Sequence, residues 1–368
     1  MARSKVAPIK MCSRRYYYLL GLILTTMLPF RDVAAQYNFL GNVEKYQTSD
    51  SGIRLYCADC TQLNIVFLQD NVFRVFLLRP NFQEAPLDYP LVKMEWPPVE
   101  LEVRETQKQF VVASSELDII IQKAPCRLTV RDKLGNLLSQ DDPGLGIGWD
   151  GKEIRNWKTL AADEKFFGLG EKAGALDKRG SQWVLWNTDD PHHDNHSDPL
   201  YQSIPFFIGM RQHLAYGIYF NNSYRSTFNF GAGNQRYYSF AADAGNLDYF
   251  FIYGPAVGRV VESYTALTGR TPMPPKWALG YQQCRWSYYP DSEVLRIAQT
   301  FREKKIPADV IYLDIHYMDG YRVFTWHPER FPEPADLIRK LSQMGFKVVV
   351  IIDPGLRRTP ITTWPKAD

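Results

Sequence analysis

The sequence predicts two domains of different class, an antiparallel β-sandwich followed by the opening of a parallel α/β layer. Three observations predict it. Over residues 37–253, short strand-like runs are separated by turn signals: QLNIVFLQDNVFRVFLL, LEVRETQKQFVVAS, LDIIIQ, CRLTVRDKLGNLLSQ, LAYGIYFNNS, RSTFNFG and YYSFAADAGNLDYFFIYG. Many short alternating strands without a competing helical period read as an antiparallel sandwich. After Gly254 the texture changes: PAVGRVVESYTALTG carries apolar residues at helical spacing, stops at Gly269 and runs into the proline-rich RTPMPPKWALG. Beyond that point strand-like and helix-like segments alternate, the order of a parallel sheet with crossover helices.

The chain has 368 residues, 45% hydrophobic and 14% aromatic, enough for more than one core. Residues 1–35 read as a secretory signal. A basic stretch ends at Arg14 and Arg15, an apolar run follows from Tyr16 to Phe30, and the small-residue site Val33-Ala34-Ala35 precedes Gln36. A membrane anchor is the competing reading, but the run is shorter than the ~20 residues a spanning helix needs and is closed by Pro29 and Arg31. The mature chain is therefore expected to be secreted or periplasmic, with no stable membrane span once the signal is removed. Lys+Arg 43 against Asp+Glu 40 gives a net charge of only +3, and no basic run recurs after the leader, so nucleic acid is not an expected partner.

Removal of the signal leaves Cys57, Cys60, Cys126 and Cys284. Cys57-Ala-Asp-Cys60 lies between IRLY and QLNIVFL, as at a hairpin tip. A local disulfide, a metal or redox pair, and plain loop cysteines all remain open readings. The sandwich is placed at residues 36–270 and the second domain at 271–368.

In the second domain WALGYQQCRW reads as a strand, DSEVLRIAQTFREKKIP as a helix capped by Asp291, and ADVIYLDI as a strand buried on both faces. PEPADLIRKLSQMGF reads as a helix ending at Gly345 and KVVVIIDPG as a third strand. Doubly wound sheets and barrels both place ligands at the carboxyl ends of their strands. Asp314 and Asp353 stand there. A strand-end aspartate can simply cap the next loop, but Tyr317, Tyr321 and Phe324 follow Asp314, and Cys284-Arg285-Trp286 ends the first strand. Carboxylates beside aromatic platforms suit sugars, which present hydroxyl edges and apolar faces.

The segments MPPKWALGYQQCRWSYY, DVIYLDIHYMDGYRVFTWHPERFP and GFKVVVIIDPG resemble, in order and spacing, the opening of the catalytic barrel of glycoside hydrolase family 31, and FFGLGEKAGALDKRG, WVLWNTDD and DPLYQSIPFFIG resemble its N-terminal sandwich. The resemblance implies a galactose-mutarotase-like sandwich and the first three βα units of a (β/α)8 TIM barrel. It implies a secreted retaining exo-α-glucosidase acting on terminal α-linked glucose, with YMDGYR closer to the α-glucosidase branch than to the α-xylosidase branch. The partner implied is an oligosaccharide or α-glucoside, with no cofactor and no metal. A retaining glycosidase uses two carboxyl groups about 5 Å apart. In the family these follow the fourth strand and later, beyond Asp368. No catalytic residue is therefore assigned here, the chain is expected to be inactive alone, and the tail RRTPITTWPKAD does not continue the family's pattern. An open three-strand piece is also expected to leave faces such as VVVII and LIRKL uncovered.

By the same resemblance Asp314 would hydrogen-bond the terminal sugar's hydroxyls, Trp286 would pack on its ring, Ile315 would line the wall, and Asp189 in WNTDD would contact the sugar at the rim. For Asp189 a turn residue beside Asp190 and Pro191 is the competing reading. One departure stands out: the motif reads LDIH where the family has LDID. His316 is expected to sit behind the sugar-touching groups, the alternative being altered hydroxyl recognition. The run HHDNHSD, residues 192–198, has a metal-like composition but no fixed spacing. A secreted carbohydrate-binding protein in which the sandwich alone functions remains a separate possibility, as does an α-xylosidase.

Overall fold

The computed structural model describes residues 37–80, 82, 89–93 and 95–353. The leader, 1–35, and the tail, 357–368, lie outside the described residues. The chain divides into two compact units, Met1–Gly269 and Arg270–Asp368.

Among the described residues the first unit holds three antiparallel sheets. The largest has eight strands in the order Lys165–Gly170, Ser203–Arg211, Leu214–Phe220, Leu247–Gly254, Val72–Leu78, Gln62–Gln69, Gly52–Cys57 and Val43–Ser49. A six-stranded sheet runs Asn38–Phe39, Ile147–Asp150, Glu153–Thr159, Tyr237–Ala242, Ser226–Asn229 and Gln182–Leu185. A five-stranded sheet runs Leu137–Gln140, Cys126–Asp132, Leu117–Lys123, Gln109–Ala113 and Glu102–Glu105. One hydrophobic cluster draws Leu55, Ile65 and Val75 from the first sheet, Tyr238 and Phe240 from the second, and Ile119, Ile121 and Leu128 from the third. That cluster is the sandwich core.

Side-chain alternation explains which strands are buried on one face and which on both. In Leu117–Lys123, Leu117, Ile119 and Ile121 are buried while Asp118 and Ile120 are half-buried. Leu247–Gly254 is buried along its whole length because it has two partners. Leu247, Tyr249, Phe251 and Tyr253 enter the sandwich core. Phe250 and Ile252 face a second cluster with Val260 and Leu267 of the helix Val257–Thr268. Each such aromatic or aliphatic side chain contributes about 1.5–3 kcal/mol by leaving water. The helix stops at Gly269, whose φ of 108° favours glycine.

The five- and six-stranded sheets are joined by a bridge between Asp141 and Lys158, whose side chains form an ion pair at 2.9 Å. Both are buried. Asp141 also accepts from the Asn156 amide at 3.1 Å and from the Leu128 backbone N–H at 2.8 Å, so its lone pairs are well occupied.

The second unit has a three-stranded parallel sheet, Gln282–Gln283, Val310–Leu313 and Lys347–Val350, with helices Asp291–Glu303 and Pro334–Gln343 in the crossovers. This is the expected βαβαβ order. Several details differ from the sequence reading. The first strand is two residues long, because residues 276–279 after Pro274 and Pro275 form a 3-10 turn in which Gly280 N–H reaches the Trp277 carbonyl. Asp291 is the first helical residue rather than the cap; Pro290 precedes it, and Asp291 and Glu293 place negative charge in the first turn. The second helix ends at Gln343, short of Gly345. Its leucines are covered, with Leu337 at 2% and Leu341 at 0% exposure, while Ile338 of the same LIRKL segment stays exposed at 40%, so only part of the expected open face is present. Val348, Val349 and Val350 are half-buried.

Candidate functional site at a parallel strand end

Val310–Leu313 is a four-residue strand with Val310, Ile311 and Leu313 buried. It ends at Asp314, half-buried, which caps a short 3-10 turn over Ile315–Tyr317: its Oδ1 accepts from the Ile315 N–H at 2.7 Å. Its other carboxylate oxygen has no hydrogen-bond partner among the described residues. The capping role and an outward-facing acceptor therefore coexist on one side chain. Ile315 is half-buried and packs against the unit's core.

The loop that follows is held from several sides. Tyr317 turns inward instead of joining the rim: it is buried, its ring lies 5.0 Å from that of Trp326, and its hydroxyl donates to the Ile351 carbonyl at 3.2 Å. Burial raises its pKa. Gly320, Tyr321 and Phe324 have φ of 57°, 59° and 62°, the last two costly for residues with side chains. Tyr321 and Phe324 are thereby turned outward, and Phe324 is 86% exposed. Asp319 is paired with Arg322, and its N–H donates to the Thr325 hydroxyl at 3.0 Å.

His316 is the centre of an aromatic cluster. Its ring stacks on Tyr289 at 5.1 Å and 14°, and meets Trp286 at 5.6 Å and Tyr321 at 5.7 Å edge-on. Arg330 lies 4.5 Å over Tyr289. Trp286 itself is 75% exposed, an indole held at its edge and open to ligand. Arg285 and Cys284 are exposed, and Asp353 is exposed beyond the end of the third strand. Sequence reading singled out Trp286, Asp314, Ile315 and His316 but missed Tyr289 and Arg330. The doubled tyrosine in WSYYP was an available signal for the first; nothing local marks Arg330.

On the sandwich unit, Asp189 is exposed in the loop after Gln182–Leu185, close enough to Tyr201 that, after burial, it helps to raise that tyrosine's pKa. The loop is pinned at its far end by Asp198, which accepts from Lys172 Nζ at 2.6 Å and from the Val184 N–H at 2.5 Å. Within the 192–198 run, the Asp194 carboxylate accepts from the His196 backbone N–H at 2.7 Å and from the Ser197 hydroxyl at 3.3 Å, bonds that hold it below its ordinary range. Among the described residues no group of three His, Cys, Asp or Glu side chains is placed to hold a metal ion.

The sandwich unit also carries an open cavity of about 430 Å³ lined by Tyr89, Trp186, Asn187, Ser203, Asn222 and Tyr224, among others. Trp186 and Tyr224 are exposed, so the hollow combines aromatic faces with amide and hydroxyl groups.

Comparison with known proteins places these features. Residues 62–229 match the glycosyl hydrolase 31 N-terminal galactose mutarotase-like domain, and residues 271–366 match the glycosyl hydrolases family 31 TIM-barrel domain. The chain belongs to glycoside hydrolase family 31, of which it carries the mutarotase-like domain and part of the barrel domain. It is 42% identical over 325 residues to alpha-glucosidase 2 of Bacillus thermoamyloliquefaciens, covering 87% of this chain and 40% of that protein. It is 32% identical over 217 residues to the alpha-xylosidase XylQ of Lactiplantibacillus pentosus, covering 56% of this chain and 27% of the relative. Among solved structures, a family 31 dextranase of Flavobacterium johnsoniae complexed with isomaltotriose superposes with a TM-score of 0.79 at 36% identity, covering 85% of this chain and 38% of the dextranase. The chain thus spans well under half the length of these relatives. No helix among the described residues is long and apolar enough to cross a membrane.

Proposed function

We propose that this chain is the sugar-recognising portion of a retaining exo-α-glucosidase, exported from the cell by residues 1–35. Within it residues 36–270 form the sandwich domain and residues 271–368 the start of the barrel. Asp314 accepts hydrogen bonds from hydroxyls of the terminal sugar, Trp286 packs against its ring, and Ile315 lines the wall. On the sandwich, Asp189 offers a further acceptor for a sugar hydroxyl.

The observation that carries this reading is the uncommitted oxygen of Asp314 at a parallel strand end, two residues before the His316 against which the exposed Trp286 packs. The chemistry itself needs a nucleophilic carboxylate and a protonated acid about 5 Å apart. We assign neither role to Asp314 or Asp353. The chain alone is accordingly expected to bind an α-glucoside without hydrolysing it. Titration with maltose, followed by tryptophan fluorescence and by release of glucose, tests both halves. Saturable binding without turnover supports the reading; turnover abolished by Asp314→Asn or Asp353→Asn makes those two the catalytic pair instead. N-terminal sequencing of exported protein beginning at Gln36 supports the leader assignment, and an intact leader opposes it.

The similarity to XylQ supports an α-xylosidase as the second enzymatic reading, distinguished by tighter binding of xylose than of glucose. The aromatic and amide-lined cavity on the sandwich supports the non-enzymatic alternative, a carbohydrate-binding module. Under it Trp186→Ala, rather than Trp286→Ala, abolishes maltose binding.

A further inference from the structure

Cys57 and Cys126 belong to different sheets but occupy one buried place. Cys57 closes the strand Gly52–Cys57 of the eight-stranded sheet, and Cys126 opens Cys126–Asp132 of the five-stranded sheet. They are 4% and 1% exposed and lie in the same hydrophobic cluster. A short length of backbone ties them together. Cys126 N–H donates to the Gly41 carbonyl at 3.1 Å, Ala58 N–H donates to the Asn42 carbonyl at 2.9 Å, and Val43 stands opposite Cys57 in register. Each thiol bears on the other's titration: their interaction lowers the pKa of Cys57 and, with burial, raises that of Cys126.

The neighbour in sequence is placed otherwise. Cys60 is exposed, with a left-handed φ of 62°, and its N–H donates to the Cys57 carbonyl at 2.9 Å in a tight turn. The Cys57 side chain points into the sandwich core and Cys60 stands in solvent. The CxxC spacing therefore marks a hairpin turn, and the cysteine that shares the buried core with Cys57 comes from another sheet.

We propose that Cys57 and Cys126 join in a disulfide that staples the two layers of the sandwich when the chain folds in an oxidising medium. The oxidant is a low-molecular-weight disulfide of the glutathione class. The Cys57 thiolate attacks one of its sulfurs, breaking the oxidant's S–S bond and releasing one thiol. Cys126 gives up its proton and attacks Cys57 Sγ in that mixed disulfide, releasing the second thiol. Two electrons and two protons pass from the protein pair to the oxidant. Because both sulfurs are buried in the folded sandwich, the exchange takes place on the folding chain before the layers close. The staple does not depend on the glycosidase reading.

Peptide mapping tests it. The full chain is folded from denaturant in a buffer of reduced and oxidised glutathione, blocked with iodoacetamide, digested without reduction and sequenced by fragment-ion mass spectrometry. The expected result is a linked Cys57–Cys126 peptide pair, two hydrogens lighter than its parts, with Cys60 and Cys284 alkylated. Reduction should then lower the melting temperature by roughly 5–10 °C, as loss of a long-loop disulfide does, and a Cys126→Ser variant should show no such drop. A Cys57–Cys60 linkage, or Cys126 recovered alkylated, overturns the proposal. The mapping is made on the unmodified chain, so it holds whether or not the variant folds.

Discussion

The imidazole of His316 lies flat on the ring of Tyr289, centroids 5.1 Å apart and planes inclined by 14°. Its Nδ1 is buried without a hydrogen-bond partner among the described residues. A ring whose nitrogen is left unsatisfied is held here by its faces and edges, against Tyr289, Trp286 and Tyr321. The position then calls for a flat side chain more than for a polar one.

It follows that His316→Phe should preserve the cluster while His316→Ala should not. Each aromatic pair contributes about 0.5–1.5 kcal/mol beyond burial, so the alanine variant is expected to lose about 1.5–4.5 kcal/mol from three contacts. Thermal melts with tryptophan fluorescence check this. Equal losses in the two variants would mean that the imidazole's polarity matters and that its buried nitrogen has a partner in solution.

Asp314 carries a cap on one oxygen and has the other free, which separates its two roles by substitution. Asp314→Asn keeps a capping acceptor, so its melting behaviour should change by less than about 0.5 kcal/mol. The same change turns an acceptor facing the cleft into a donor and removes its charge, and maltose binding should weaken by about 10-fold or more. Asp314→Ala should show both the weaker binding and a loss of about 1 kcal/mol in stability. Unchanged maltose affinity in both variants would leave Asp314 as a cap alone.

How far the sequence could be read depended on whether the signal was local. Leu117–Lys123 shows its buried face as a strict alternation, and the helix Val257–Thr268 shows both its period and its glycine stop. Strands such as Lys165–Gly170 and Ser203–Arg211 were not picked out by alternation. In the first, Gly168, Leu169 and Gly170 all have positive φ and the register shifts between the two glycines, so the period is broken where the strand bends. In the second, Pro205 sits inside the strand. The apolar WAL was read as strand because its hydrophobicity carries no period, and the two prolines before it decided otherwise. At the site, Asp314 and Trp286 were legible as a strand-end carboxylate and an aromatic. The inward turn of Tyr317 and the stacking of Tyr289 on His316 arise from tertiary packing, which no local spacing records.

The ion pair of Lys158 with Asp141 is a load on the fold that two buried charges share. Burial by itself pulls the Lys158 pKa down, but the Asp141 charge and the Tyr249 and Tyr238 hydroxyls outweigh it and hold the ammonium above its ordinary value. A cation with a raised folded pKa contributes stability fully below its unfolded pKa of about 10.4 and loses it only as pH rises beyond that, so the contribution should be constant from neutral to mildly alkaline pH. Lys158→Met removes one partner and leaves Asp141 buried, which is expected to cost about 3–5 kcal/mol. Urea unfolding of the variant at neutral pH measures it, and a loss below about 1 kcal/mol would show that water reaches Asp141.

Glu164 predicts the opposite kind of pH dependence. It is 2% exposed, with Oε1 accepting from the Tyr216 hydroxyl at 2.7 Å and Oε2 from the Ala161 N–H at 3.0 Å. Burial raises its pKa, and those two hydrogen bonds with the Arg211 and Arg179 charges offset the rise only in part. Between the unfolded value and this raised one the folded state binds more protons than the unfolded chain, so stability from this group falls as pH rises through the window and is greatest below it. Glu164→Gln removes the titration while keeping an acceptor for Tyr216; the loss of the Ala161 bond adds a penalty that does not vary with pH. The melting temperature of the variant minus that of the unmodified chain should therefore become more positive from about pH 4.5 to about pH 7. Melts across that range decide it: a difference that stays flat would mean that Glu164 titrates alike in the folded and unfolded chain, and one that becomes more negative would mean that its folded pKa is depressed by Arg211 and Arg179.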